Sequence, residues 1–95
     1  MEGENKNIKY LEVQIFGRVQ GVGFRYFIKR QASKIGMRGF CKNLEDGSVL
    51  VNVSGENQIL KDFLKKLHKG PLFARVDHLE IKEIPEFEAE AFKVI

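Results

Sequence analysis

The chain has 95 residues, enough for one compact domain with one core and too few for a catalytic domain beside a separate binding domain. Hydrophobic residues make up 43% and charged residues 31%, a globular balance and not a disordered one, and a single cysteine, Cys41, rules out an intramolecular disulfide and a CxxC metal site. The net charge is +3, unevenly spread: residues 1–76 carry 14 Lys and Arg against 7 Asp and Glu, and residues 77–95 carry 2 against 6.

Residues 1–7 read as a flexible polar tail and residues 8–95 as a single domain. The stretch from Met1 to Lys9 has no signal-peptide apolar segment, and no apolar run reaches the length of a membrane span, so a cytoplasmic protein is expected. From Tyr10, Leu11, Val13 and Ile15 alternate with Glu12 and Gln14, the period of a half-buried strand. The strand runs into Gly17 and a glycine-bearing stretch through Gly21 and Gly23. The period then changes: Phe24, Phe27, Ile28, Ala32 and Ile35 share one helical face, and Gly36 stands where a helix C-terminal glycine belongs.

Residues 38–43 predict a second strand, Asp46-Gly47 a hairpin turn, and residues 48–54 a third strand with Val49, Val51 and Val53 on one side. A second helix is predicted over 56–69, with Ile59, Leu60, Phe63, Leu64 and Leu67 as its apolar stripe and Gly70-Pro71 as its end. Residues 76–84 read as a strand stopped by Pro85, and 91–95 as a short fifth one. The order β-α-β-β-α-β predicts an α+β, ferredoxin-like arrangement: an antiparallel sheet of four to five strands with both helices on one face. That fold hosts many functions and names none.

The segment from Gly17 to Arg25 carries the most chemistry. A strand ends, glycines turn the chain, and a helix begins, so a run of backbone N–H groups lacks helical partners and can converge on an anion. Arg25, in the first helical turn, opposes the helix dipole; an anion held between the N–H groups and the guanidinium would remove that conflict. The plain alternative is a glycine-rich connector with a solvated arginine, and spacing alone does not separate the two. Walker A is excluded because no Gly-Lys-Ser/Thr occurs, and the dinucleotide fingerprint because Tyr26 stands where its third glycine belongs. Asn43 falls at a strand end near the hairpin, where its amide could orient a water, although asparagine is also common near turns for local hydrogen bonding.

Ile15 to Arg25, read I-F-G-R-V-Q-G-V-G-F-R, resembles the first signature of the acylphosphatases, and Gly39 to Gly55, read G-F-C-K-N-L-E-D-G-S-V-L-V-N-V-S-G, resembles the second. The resemblance extends over residues 10–94. It implies hydrolysis of the carboxyl-phosphate bond of small acyl phosphates to a carboxylate and inorganic phosphate, without metal or cofactor. It implies that Arg25 binds phosphate, that Asn43 positions the attacking water, and that Gln20, Gly21, Val22, Gly23, Phe24 and Arg25 form the phosphate-binding loop. Phe40 stands where tryptophan is common, Leu44 removes an auxiliary polar group that some members carry, and the chain ends Lys93-Val94-Ile95 without a terminal tyrosine. Cys41 is expected to face the core or the hairpin and not to act as a nucleophile. His68 and His78 lie outside both motifs and read as surface or partly buried residues.

The rival reading is an RNA-binding module of the same strand-helix order, with Arg38-Gly39-Phe40 resembling the start of an RNP1 motif. The continuation, Cys41 to Glu45, lacks the stacking aromatics, and RNP1 belongs on the third strand of that fold, not the second. No nucleic-acid or membrane partner is therefore expected, and a monomer is the default.

Overall fold

The computed structural model describes residues 8–95; the expected tail, 1–7, lies outside the described residues. The elements are β1 (Ile8–Arg18), α1 (Phe24–Lys34), β2 (Arg38–Asn43), β3 (Val49–Glu56), α2 (Asn57–Lys69), β4 (Arg75–Glu83) and β5 (Phe92–Val94). They form one sheet in the order β4-β1-β3-β2-β5. β1 lies between β3 and β4, antiparallel to both, and β3 pairs antiparallel with β2. Each crossover helix thus joins two parallel strands with a third between them, the ferredoxin-like α+β arrangement.

The alternating pattern sets the two faces. Leu11, Val13 and Ile15 of β1 and Val49, Val51 and Val53 of β3 are buried under the helices, along with Cys41 of β2. Against them pack Phe24, Ile28 and Ala32 of α1 and Leu60, Phe63 and Leu67 of α2. Each large apolar side chain buried in this way contributes about 1.5–3 kcal/mol. Ile35, predicted on the apolar face of α1, is the C-cap residue and is 45% exposed, because the helix has already ended.

Two features lay outside the local patterns. β1 carries a register shift between Phe16 and Gly17, where it meets β4. A Cβ at Gly17 would stand 2.1 Å from the Arg75 carbonyl oxygen, so only glycine lets the strands close there. The fifth strand runs parallel to β2, so the sheet is mixed and its antiparallel part has four strands. Residues 84–91 carry the chain there across the helix-free face. Ile84 N–H donates to the Tyr10 carbonyl at 2.9 Å, Phe87 packs edge-on to Tyr10 at 5.3 Å, and Gly39 N–H donates to the Ala91 carbonyl at 3.1 Å.

Candidate active site

β1 and β2 are parallel through β3, so the C-terminal end of β1, the start of α1 and the end of β2 meet at one edge of the molecule. The loop 19–23 sits there. It is held at each end by a side chain in the core: Val19 and Phe24 are each 1% exposed. Between them Gly21 and Gly23 have φ of 74° and 78°, and Gly23 is the N-cap of α1. A Cβ at either glycine would meet nothing within 4 Å, so the requirement is for left-handed backbone and not for space.

That backbone turns N–H groups outward. Phe27 N–H closes the first helical bond, to the Gly23 carbonyl at 3.0 Å. Among the described residues, no main-chain N–H from 20 to 26 donates to a protein acceptor. A helix N-terminus with that many open donors has the chemistry to hold an anion. No side-chain acceptor caps the helix and no acidic residue lies in its first turn.

The side chain of Gln20 turns away from this cradle. Its Nε2 donates to the Leu44 carbonyl at 2.8 Å and to the Ser48 carbonyl at 2.9 Å, fastening the loop to the β2–β3 hairpin. The hairpin is held from its other side by Gln14, whose Nε2 donates to Ser48 Oγ at 2.8 Å. Ser48 is buried, and both its N–H and its hydroxyl donate to the Asp46 carboxylate. These bonds keep the Asp46 carboxyl below its ordinary value, the hydroxyl contributing most. Apart from the D-G-S turn itself, no local pattern announces the Gln20 and Ser48 contacts, which join segments 24 and 28 positions apart.

Arg25 is half-buried at the start of α1. Its Nη1 donates to the Ile95 main-chain oxygen at 3.0 Å, while Ile95 N–H donates to the Cys41 carbonyl at 2.9 Å. The guanidinium is thus held by the chain just after β5, and among the described residues its other donors have no acceptor. Cys41 Sγ lies 3.7 Å from the Arg25 carbonyl oxygen. Burial pushes the Cys41 thiol up to about 11, against the pull of the Arg25 charge, so it is protonated near neutrality and unsuited to nucleophilic attack.

Asn43 is the last residue of β2 and is exposed. Two positions beyond Cys41, it projects from the same face of the strand, toward the end where the loop lies. Among the described residues its side-chain amide has no hydrogen-bond partner. The structure thus brings the loop, Arg25 and Asn43 to one end of the sheet. His68 and His78 are both exposed; His78 stacks on Phe16 at 4.5 Å, on the helix-free face. No group of three or more His, Cys, Asp or Glu among the described residues could hold a metal ion, and no helix there is long and apolar enough to cross a membrane.

Known proteins resemble this chain over nearly its whole length. The family model described as Acylphosphatase matches residues 11–94. An acylphosphatase of Bacillus pumilus is 47% identical over 73 residues, covering 77% of this chain and 81% of its own. The crystal structure of the acylphosphatase from Bacillus subtilis superposes with a TM-score of 0.87 at 31% identity, covering 93% of this chain and 98% of that one. An acylphosphatase from Coxiella burnetii superposes with a TM-score of 0.90 at 29% identity over the full length of both chains.

Proposed function

The chain belongs to the acylphosphatase family, hydrolases that act on acyl phosphates, and we propose that it transfers the phosphoryl group of a small acyl phosphate directly to water at the loop 20–25. The observation that carries this reading is the run of main-chain N–H groups from 20 to 26 without acceptors among the described residues, with Arg25 in the same stretch.

In this reading residues 8–95 act as a single domain. The N–H groups of Gln20, Gly21, Val22, Gly23, Phe24 and Arg25 receive the phosphoryl oxygens, and the guanidinium of Arg25 grips two of them through its planar fork. These donors are fixed before substrate arrives, so they stabilise charge on the equatorial oxygens without reorganising. Asn43 accepts from the attacking water with its Oδ1 and sets it in line with the leaving oxygen, an orientation effect. The water oxygen bonds to phosphorus as the bond from phosphorus to the acyl oxygen breaks. The carboxylate departs with the electron pair, and both water protons end on the phosphate. A carboxylate leaves without being protonated, so no general acid is needed, which suits a loop 20–25 that contains no Asp, Glu or His. The contacts committed to the acyl half are few, consistent with broad acceptance of small acyl groups, in a monomer working in the cytoplasm.

Inorganic phosphate, the product, tests the cradle without turnover. Titrated into the ¹⁵N-labelled protein, it should shift the amide resonances of residues 20–25 saturably. Shifts spread over the lysine-bearing helix surfaces, with the loop unmoved, would overturn the assignment.

A further inference from the structure

The two helices carry half of the chain's Lys and Arg and little acid. α1 has four Lys and Arg and no acid, and α2 has four Lys and one acid, Asp62. Between them lies a groove with a cavity of about 420 Å3, within the range of pockets that hold small molecules. Its floor is apolar: Phe63, 1% exposed, lies at the bottom, flanked by the half-buried Ile59 and by Ile35, 45% exposed. Lys34, Lys65 and Lys66 stand around it. Among the described residues none of the three pairs with a carboxylate, and Asp62, also at the rim, accepts instead from Gln58 Nε2 at 3.4 Å. The α1 side of the groove is the C-terminal end of that helix, about 15 Å along its axis from Phe24, so the groove is separate from the phosphate loop.

We infer that this groove is a binding site for a single-chain aliphatic anion, a carboxylate whose chain lies on Ile35, Ile59 and Phe63 and whose head meets Lys34, Lys65 and Lys66. Apolar surface alone would take a neutral ligand and lysines alone a bare phosphate; only an amphiphilic anion satisfies both. The recessed floor fits other occupants poorly. Nucleic acid needs exposed aromatic faces for stacking, and Phe63 is covered. A bilayer is entered by apolar side chains that protrude, and of these three only Ile35 is exposed, Ile59 being half-buried and Phe63 covered. A second copy docked groove to groove would set lysines against lysines.

Sodium decanoate, kept below its micelle concentration, is the probe. Titrated into the ¹⁵N-labelled full chain, it should give saturable amide shifts centred on residues 34–35 and 59–66. The uncharged 1-decanol should bind more weakly by about tenfold or more. Lys65→Glu/Lys66→Glu, changed only at exposed positions, should lower decanoate affinity by about tenfold; Ile59→Asn, checked for folding by thermal melt, should lower affinity for decanoate and decanol alike. Absent or non-saturable shifts, shifts confined to residues 20–25, equal affinity for decanoate and decanol, or unchanged affinity in the double variant would each overturn the site. So would a response seen only with phosphatidylglycerol vesicles, only with RNA, or only through dimerisation in sedimentation.

Discussion

Asn43 has an exposed amide with no partner among the described residues, at the end of β2 on the edge of the molecule where the loop 19–23 lies. Its proposed part is orientation of the water, so Asn43→Ala should lower kcat by about a hundredfold and leave phosphate affinity nearly unchanged. Steady-state kinetics with phosphate as competitive inhibitor separates the two; an equal loss of phosphate affinity would make Asn43 a binding residue instead. Gly23 tests the cradle itself. Gly23→Ala has room for its methyl group but must hold φ near 78°, at a cost of about 1–2 kcal/mol. Thermal melting should show that loss, and the variant should bind phosphate more weakly. An unchanged melting temperature and unchanged phosphate affinity would show that the left-handed turn is not required. Arg25 and Asn43 stood out in the sequence because each lies inside a contiguous motif. The bond from Arg25 to Ile95 spans 70 positions, and nothing local to either residue announces it.

At the scale of elements, the loop and the hairpin are one unit. Gln20 joins them with two bonds to carbonyls that also accept from Gly47 and Leu44. Gln20→Ala therefore leaves no carbonyl without a donor and should cost only about 1 kcal/mol, while freeing the loop 19–23 from the hairpin that follows Asn43. The expected result is a fall in kcat/KM out of proportion to a small drop in melting temperature; unchanged kinetics would mean that the loop holds its shape without the clamp. Most elements were legible from period and punctuation: β2 spans residues 38–43 as predicted, and α2 ends before Gly70. The direction of β5 was not. It is fixed by the passage of 84–91 over Tyr10 and Gly39, contacts between segments far apart in sequence, and a three-residue strand carries no pattern that distinguishes parallel from antiparallel. The same holds for Ile35: its spacing fits the helical stripe, but a stripe does not tell where the helix stops.

Across the whole molecule, folding turns the uneven charge of the sequence into a layered one. The helices hold eight Lys and Arg against Asp62, while all six acids of 77–95 lie on the edge strand β4 or in the segment 84–91, among them Glu80, Glu86, Glu88 and Glu90. The N-terminus of α1 opens at the rim of the basic layer, which favours the approach of a dianionic substrate. The central claim is that main-chain donors, the Arg25 guanidinium and a water set by Asn43 carry the reaction without a metal. It is tested most directly by following hydrolysis of benzoyl phosphate with and without EDTA, for the wild type and for Arg25→Ala shown to be folded by circular dichroism. Wild-type turnover insensitive to EDTA, with the folded variant slower by about a thousandfold or more, is the predicted result. A folded Arg25→Ala that turns over at the wild-type rate, or a wild type that stops when EDTA is added, would contradict it.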